Sequence, residues 1–465
     1  MVPTDRLEAV VGELVDELDH RFPYAAALIS GTSGTEIRDN GDEQNASESN
    51  PTRGIVFSVY NGTSFAEYAS SDLAPDSLAR GVHAWADELN VEPGGKPIIG
   101  GGIASPTGPD RRSFQVPVEI DPASVPLREK LELVRELQQK AKSLDSRIVQ
   151  AQVQYTDTAK GSIYIGRGRH LEQHVPRVTL AAFVAVSDGT QVRYHYVIRG
   201  GTFGYEVAKL TDDDLRETAD IALRLLEAEK IKPGEYDIIS DSGISGVLAH
   251  ESFGHGVELD LFPKGRALSQ QYLDRQVAAP NVQMFDDPSI PGGMGSYFFD
   301  DEGELARPTQ ILRDGIFVRP ISDFASATLT PGIHTPNGRR QDFTRKVYAR
   351  MTNTFFASGT VPVADMIAGM EQGVYLRAAE SGMEDPMGWG IQITAHYGEE
   401  IRNGQRTGRL FAPVGITGYV PDVLSSISAI GNDFELWAGF CGKGHKEMVP
   451  VSTGGPHLRM KARLG

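Results

Sequence analysis

The sequence predicts an α+β protein of two domains, an amino-terminal antiparallel sheet with helices and a sheet-rich or barrel-like carboxy-terminal domain. The length of 465 residues is more than one ordinary core needs. Helix-spaced apolar stripes and strand pairs occupy the first half. Short apolar runs cut by glycine and proline fill residues 282–453, which favours a twisted sheet or barrel. Because Lys232-Pro233-Gly234 interrupts the pattern, we predict domains at 1–230 and 231–465.

Three helices are predicted in the first half from apolar periodicity. The first carries a helix-spaced stripe, namely Leu7, Val10, Val11, Leu14, Val15 and Leu18. A second is centred on Leu131 and Val134. A third begins at Thr211, where Asp214 three residues later resembles a capping box, and should end near Lys230.

Strand patterns and turn residues predict two hairpins. The first runs from 54 to 60, turns at Asn61-Gly62 and returns to 68. The second joins 181–186 to 192–198 across Asp188-Gly189, and 148–155 is a further strand. The polar run from 40 to 50 is predicted to be a mobile loop. The glycine run at 100–102 lacks the residues of a phosphate-binding loop.

The charge balance excludes some classes of partner. The 45 basic and 62 acidic side chains give a net charge of −17, which disfavours nucleic acid and anionic membranes. No apolar stretch is long enough to span a bilayer, and Met1 to Arg6 do not begin a signal peptide. The one cysteine cannot form an internal disulfide. We therefore expect a cytoplasmic enzyme.

The segment from His250 to His255 places two imidazoles and a carboxylate close together. Neutral imidazole binds zinc readily, and Glu251 can accept a proton from water. In the common helical motif the histidines are four positions apart, whereas here they are five apart. A regular helix would direct the two rings to different sides, so we expect a π-type turn made easy by Gly254 and Gly256.

Cys441 supplies a candidate third zinc ligand. A lone cysteine is often only a small buried apolar residue. Here it lies in the glycine-rich segment Phe440-Cys441-Gly442-Lys443-Gly444, which we interpret as a turn whose lysine favours the thiolate.

Over nearly its whole length the chain resembles the TldD branch of the TldD/PmbA metallopeptidases. Besides the histidine segment, the matching stretches are Gly246-Val247-Leu248-Ala249, Asp300-Asp301-Glu302-Gly303, Asn337-Gly338-Arg339-Arg340, Arg350-Met351-Thr352-Asn353, Gly431-Asn432-Asp433 and Cys441-Gly442-Lys443-Gly444. The resemblance implies that His250, His255 and Cys441 bind Zn²⁺ and that Glu251 is the catalytic base. PmbA-like paralogues lack this metal motif.

Two segments depart from the family pattern. His445 stands where the family usually has a smaller or uncharged residue, and Glu258-Leu259-Asp260 replaces a tighter acid-Gly-acid run. We expect neither departure to contact the zinc ligands. His445 is interpreted as a solvated loop histidine. Two alternatives are that it donates a hydrogen bond to a zinc ligand or that it is itself a zinc ligand.

The predicted function is zinc-dependent hydrolysis of short or unfolded peptides, with Glu251 taking the proton of the attacking water. Arg350 and Asn353 are candidates to position substrate, although such residues in a tight turn are often structural. Arg339 and Arg340 could bind a peptide carboxylate or form a surface ion pair.

The resemblance also implies a dimer, either of two identical chains or with a PmbA-like paralogue, which encloses a cavity for peptide. Two other functions stay open at this point. One is a peptide-binding subunit whose metal is structural, and the other is a hydrolase of small-molecule amides. Addition of an extended peptide to a sheet edge would explain tolerance of many sequences.

Overall fold

The computed structural model describes residues 5–48, 51–89, 110–330, 333–445 and 447–465. The glycine run at 100–102 lies outside this part of the chain. Within it, no helix combines the length and the apolar character needed to cross a membrane.

The helices of the described residues are mostly short. They are α1 (Asp5–Arg21), α2 (Pro75–Glu88), α3 (Leu127–Ser143), α4 (Asp212–Arg224), α5 (Ser242–Phe253), α6 (Phe324–Leu329), α7 (Val363–Ala368) and α8 (Val420–Ser425). The three helices predicted in the first half correspond to α1, α3 and α4. Thr211 and Asp214 form the reciprocal capping box at the start of α4. That helix ends at Arg224, followed by a 3-10 turn, and so stops earlier than predicted.

Strands provide most of the framework. In the first half they are β1 (Tyr24–Asp39), β2 (Gln44–Glu48), β3 (Thr52–Tyr60), β4 (Phe65–Ser70), β5 (Asp110–Gln115), β6 (Ile148–Gly166), β7 (Arg169–Ser187) and β8 (Val192–Gly201). In the second half they are β9 (Gly234–Ser240), β10 (Met284–Asp286), β11 (Thr309–Arg313), β12 (Ile316–Phe317), β13 (Gly338–Arg339), β14 (Tyr348–Ala349), β15 (Asn353–Phe356), β16 (Gln372–Asp385), β17 (Gly390–Arg402), β18 (Gln405–Phe411), β19 (Val414–Tyr419), β20 (Ala429–Ile430), β21 (Glu435–Lys443), β22 (Glu447–Gly455) and β23 (Leu458–Leu464).

The first eight strands form one sheet that is largely antiparallel. Its order is β4-β3-β1-β6-β7-β5, with β2 on β1 and β8 on β7. The β3–β4 and β7–β8 hairpins were both predicted from turn residues. The predicted mobile loop was wrong at residues 44–48, because these pair with the end of β1 as strand β2. The residues of β2 are polar and gave no strand pattern of their own, because this strand is formed through its hydrogen bonds with β1.

The second half contains a closed barrel beside an open sheet. Strands β16, β9, β23, β19 and β17 follow one another, and β17 pairs back with β16 to close the ring. The open sheet has the order β12-β11-β10-β15-β22-β21. This confirms the α+β class with a barrel-like carboxy-terminal part. The predicted boundary between residues 230 and 231 stays a prediction.

Helix α5 lies between the barrel and the open sheet, packed against β16 and β22. Asp241 caps its first turn by accepting the amide hydrogen of Ile244 at 2.9 Å. Gly246 makes the closest approach, since a Cβ added there would lie 2.2 Å from the amide nitrogen of Gly454 on β22. The absence of a side chain at Gly246 therefore sets the spacing between the helix and the sheet.

Replacing Gly246 by alanine should lower the free energy of unfolding by about 1–3 kcal/mol or more. The new methyl group would collide with backbone atoms of β22, which cannot change rotamer as a side chain can. Gly243→Ala on the same helix is the matched control. Its Cβ would meet nothing closer than 3.4 Å, and alanine is the better helix former by about 1 kcal/mol. Urea unfolding followed by circular dichroism measures both variants. Equal stability of the two variants would contradict the packing constraint.

Candidate metal centre

The histidine segment ends helix α5 and begins a tighter turn. His250 lies in the last turn of the helix, and Gly254 donates its amide hydrogen to the His250 carbonyl. His255 opens a 3-10 turn that runs to Val257. The predicted π-type turn was therefore wrong. Glycine is required at this helix end, because a Cβ added to Gly254 would lie 1.9 Å from the Met351 sulfur and 2.1 Å from the His250 carbonyl oxygen.

The fold brings His250, His255 and Cys441 together. Candidate ligand atoms from these residues all lie within 4.8 Å of one another. The Cys441 sulfur is 3.3 Å from Nε2 of His255, and the two imidazole rings are 5.2 Å apart and nearly perpendicular. His250 and Cys441 are buried, and His255 is partly buried. Residues nearly two hundred positions apart thus meet through tertiary folding alone.

Glu258 and Lys443 hold the His255 ring from behind. Nδ1 of His255 lies 3.3 Å from the Glu258 carboxylate, which in turn accepts from Lys443 at 3.0 Å. This contact favours a proton on Nδ1, so that Nε2, which faces Cys441, is the ring nitrogen available to a metal ion. The expectation that the 258–260 segment would not contact a candidate ligand was wrong. Because Glu258 follows His255 by three residues, the short turn carries it to the same side.

Cys441 lies within strand β21 and not in a turn, which corrects the sequence interpretation. Lys443 is also not its counter-charge, because that ammonium pairs with Glu258 and Asp260. Burial of the thiol works against ionisation, but the adjacent imidazoles of His255 and His250 lower the pKa of Cys441 well below its ordinary value. The cluster itself therefore favours the thiolate.

The donor set fits a zinc ion. Two imidazole nitrogens and a thiolate are among the ligands that Zn²⁺ prefers, and three protein ligands leave one position open. In a tetrahedral zinc site the sulfur and nitrogen ligand atoms lie roughly 3.5 Å apart, so the Cys441–His255 separation of 3.3 Å needs little adjustment. Nδ1 of His250 is buried with no hydrogen-bond partner in the described residues. A bound metal ion would give these closely spaced polar atoms a favourable partner.

Glu251 lies beside the cluster on the same helix turn as His250. Its side chain makes no hydrogen bond to any residue that the structure describes, and it is partly buried. Strand β16 covers it at Gly382, where an added Cβ would be 2.5 Å from Cγ of Glu251. Glu251 and His255 both act electrostatically on Glu384, which places the Glu251 carboxylate in the neighbourhood of the cluster.

Comparison with known proteins agrees with this arrangement. Residues 233–463 match the PmbA/TldA metallopeptidase C-terminal domain, and residues 120–229 match the central domain of the same family. The chain belongs to the PmbA/TldD metallopeptidase family. This confirms the family resemblance recognised in the sequence.

Curated relatives of this family carry metalloprotease names. A metalloprotease of Methanothermobacter thermautotrophicus is 33% identical over 344 residues, which cover 73% of this chain and 74% of the relative. The TldD homologue of Haemophilus influenzae is 27% identical over 72% of each chain. A relative from Saccharolobus solfataricus, named a zinc metalloprotease TldD homologue, is 27% identical over 51% of this chain and 52% of its own length.

Solved structures share the fold over almost the whole chain. TldE from Thermococcus kodakarensis has a TM-score of 0.72 at 13% identity and covers 98% of this chain and 100% of its own. A candidate modulator of DNA gyrase from Thermotoga maritima has a TM-score of 0.78 at 17% identity, with coverages of 98% and 100%. These likenesses show the architecture of the PmbA/TldD family.

Arg350 and Asn353 are both fully buried and contact the protein itself. Arg350 donates to the main-chain carbonyls of Glu447 and Cys441, and so braces the strand that carries the candidate sulfur ligand. Asn353 donates to the Asp287 carbonyl at 2.6 Å. A substrate-positioning role for either residue stays a prediction.

His445 is exposed on the connection between β21 and β22. This placement agrees with the interpretation as a solvated loop histidine. The metal cluster of the described residues contains His250, His255 and Cys441 but not His445.

Glu384 is a buried carboxyl group near the cluster that the sequence did not reveal. It lies on β16, and its Oε1 would be 2.5 Å from a Cβ added to Gly256. Neither of its oxygens has a hydrogen-bond partner within the described chain. Burial, together with the negative charges of Glu251 and Glu258, raises the pKa of Glu384 to about 9, although the charge of His255 opposes the shift. Without a metal this carboxyl is neutral at pH 7.

In metal-free protein, Glu384→Gln should be more stable than the native chain by an amount that grows with pH. Below about pH 4.5 the carboxyl is protonated in both folded and unfolded states, so the substitution has little effect. Between that value and about 9 only the unfolded state loses the proton, which weakens the native fold. The gain should reach the order of a few kcal/mol at pH 9.

Urea unfolding between pH 5.5 and 9, after chelation of metal, measures this difference. Glu371→Gln, at an exposed carboxylate, is the control. A stability gain from Glu384→Gln that is the same at every pH would show that Glu384 ionises like an exposed carboxyl group.

Proposed function

We propose that this chain is a zinc-dependent peptidase that hydrolyses short or unfolded peptides. The observation that carries the proposal is the meeting of two imidazoles and one thiolate, with Glu251 next to His250 in the chain. The membership of a metallopeptidase family and the metalloprotease names of relatives support it. The zinc metalloprotease name of one relative supports the choice of metal.

His250, His255 and Cys441 would hold the zinc ion. When bound, zinc supplies Lewis acidity that polarises the scissile carbonyl group and makes water a stronger acid. Glu251 accepts the proton of the attacking water and later delivers it to the leaving amine nitrogen. The Glu258 carboxylate keeps the His255 ring oriented throughout, because the two remain in hydrogen-bond contact.

The edge position of β21 supports an extended peptide as substrate. This strand carries Cys441 and ends the open sheet, with β22 as its strand partner in the described residues. A peptide that adds to its free edge would use main-chain hydrogen bonds and pass directly beside the cluster. Such binding tolerates many sequences but requires an unfolded chain.

We further propose that the active form is a dimer, either of two identical chains or with a PmbA-like paralogue, and that it acts in the cytoplasm. A reducing compartment would suit Cys441, whose thiolate must stay free of oxidation to bind metal. Mass measurement of the protein purified alone tests whether identical chains associate.

Glu251→Gln should keep about one zinc per chain but lose peptide cleavage by roughly 10²–10⁴-fold, because the proton acceptor is removed while the ligands remain. Zinc content by elemental analysis and cleavage of an unstructured peptide are measured on protein purified without a partner. Ser252→Ala, on the adjacent position, is the control, since Ser252 only donates to the Leu248 carbonyl. Full activity in Glu251→Gln would exclude it as the base.

The same assay separates the two other functions. Zinc bound by the native chain without cleavage of any peptide in a panel would indicate a peptide-binding subunit. Cleavage of small amides but not of peptides would indicate a small-molecule amidase. Absence of zinc from correctly folded protein would exclude the proposed site itself.

Glu258→Gln should weaken zinc affinity by about 10–100-fold, because the His255 ring loses its anionic partner. Competition with a fluorescent zinc chelator measures the affinity. Glu399→Gln is a matched control, since Glu399 is another buried acid that pairs with arginine in the barrel, away from the cluster. Equal affinities of the two variants would show that Glu258 does not orient the ligand.

A further inference from the structure

A cavity of about 410 Å³ lies between the amino-terminal sheet and the open sheet of the second half. Alternate residues of β1, β6 and β7 form one wall, and residues of β13, β21 and β22 lie on the other side. His250, Glu251, His255 and Cys441 do not line it. The cavity is therefore distinct from the candidate metal centre, and its size suits a small ligand.

Arg177 lines this cavity from β7 and is 6% exposed. Its guanidinium donates to the main-chain carbonyls of Met294 and Ser296, at 2.8 and 2.9 Å. No ion pair links it to a carboxylate of the described residues. These carbonyls satisfy hydrogen bonds but bring no negative charge, and an uncompensated buried charge is costly.

Arg339 repeats this arrangement on the opposite wall and is 5% exposed. It donates to the carbonyls of Met351 and Pro450. It too forms no ion pair within the part of the chain that the structure describes. Burial, and then the positive charge of Arg339, lowers the pKa of Arg177 to about 9. The two guanidinium groups thus repel each other across one cavity.

Two acids of the cavity wall are committed to other partners. One oxygen of Asp301 accepts from Lys160 at 2.7 Å, and the other accepts from the amide of Arg340 at 2.8 Å. Oε1 of Glu36 accepts from Gln154 at 3.2 Å and pairs with Arg38 at 3.5 Å. Asp301 still supplies part of the field that acts on both arginines, but it has no free oxygen for them.

Asp300, the third acid of the wall, is also committed to other partners. Its oxygens accept the amide hydrogens of Glu302, Glu304 and Gly338. Burial raises the pKa of Asp300, so this group contributes less negative charge than an ordinary aspartate. The cavity therefore keeps an excess of positive charge.

Hydroxyl donors line the sheet side of the cavity. Four threonines on adjacent strands face it and make no side-chain hydrogen bond to other described residues, namely Thr32, Thr156, Thr158 and Thr179. Together with the two guanidinium groups, these hydroxyl groups give the cavity several hydrogen-bond donors. Oxyanions are the ligands that such a surface recognises.

We propose that Arg177 and Arg339 form a second binding site, which takes the carboxylate or phosphate group of a small ligand. The oxyanion supplies the direct ion pair that neither arginine has within the described residues. Arg339 joins this site to the neighbourhood of the metal centre, because its partner Met351 also packs against Gly254. This proposal does not depend on peptidase activity.

Thr158 offers a direct test, since it lies opposite Arg177 in the β6–β7 register. Thr158→Glu places a carboxylate within reach of the guanidinium, and Thr158→Gln adds the same bulk without charge. Thr158→Glu should unfold about 2 °C or more above Thr158→Gln, because it compensates the buried charge. Differential scanning calorimetry of the full-length, zinc-loaded protein measures the two midpoints.

Binding is measured on the same proteins with two probes, inorganic phosphate by phosphorus NMR and labelled acetate by carbon NMR, at constant ionic strength. The native chain should bind at least one probe, and Thr158→Glu should bind it about tenfold or more weakly than Thr158→Gln. The tighter probe identifies the ligand as a phosphate or a carboxylate. Zinc content, which should be equal in all three proteins, excludes an anion held by the metal.

The proposal is overturned if the native chain binds neither probe. It is also overturned if Thr158→Glu binds as tightly as Thr158→Gln, or unfolds at a lower temperature. Each of these results would show that the protein itself already balances the charge of the arginines.

Discussion

The close approach of helix α5 to strand β22 is the constraint on which the candidate site depends. A hydrogen at Gly246 allows backbone to meet backbone at Gly454, and this contact lies one helical turn before His250. The neighbouring strand β21 carries Cys441. The distance between the imidazoles and the sulfur is therefore set by packing remote from these three residues. The cluster can form without any distortion of the backbone at the ligands themselves.

The charges around the candidate metal centre are balanced among four side chains, namely His255, Cys441, Glu258 and Lys443. Cys441 and Glu258 carry the negative charges that face the imidazoles, and Lys443 satisfies the outer side of Glu258. Burial by itself lowers the pKa of His255, but Glu258 and Cys441 raise it well above its usual value. In metal-free protein an imidazolium and a thiolate therefore hold each other. A divalent cation would replace that proton and keep the same anionic partners.

The sequence predicted the parts of the site that are close in the chain or chemically rare. His250, Glu251 and His255 form a compact motif, and Cys441 stands out as the one cysteine. Elements with strong local signals were also predictable, including the capping box of α4 and the two hairpins. The α+β class with a barrel followed from apolar runs, whereas the closure of β17 onto β16 is a long-range pairing that no local pattern encodes.

The remaining features arise from contacts between distant segments, which explains why sequence reasoning missed them. The five-residue histidine spacing was expected to need a π-type turn, because a regular helix continuing through His255 would direct the two rings to different sides. The helix ends at Gly254 instead, where a side chain would collide with the sulfur of Met351, a residue distant in sequence. Glu384 likewise gains its buried position from strand β16, with no motif around it.

The arginines of the cavity illustrate the same limit, because Arg339 and Arg340 are adjacent in sequence but not equivalent. Arg340 is paired with Glu67, which belongs to the amino-terminal sheet, and its positive charge is balanced. Within the described residues Arg339 donates to carbonyl groups and lies over the Tyr297 ring, with no carboxylate paired to it. A surface ion pair was one expectation for this basic dipeptide, yet both side chains are buried. Since burial magnifies an unbalanced charge, the difference between these two neighbours gives one a structural role and leaves the other with a charge that a ligand can satisfy.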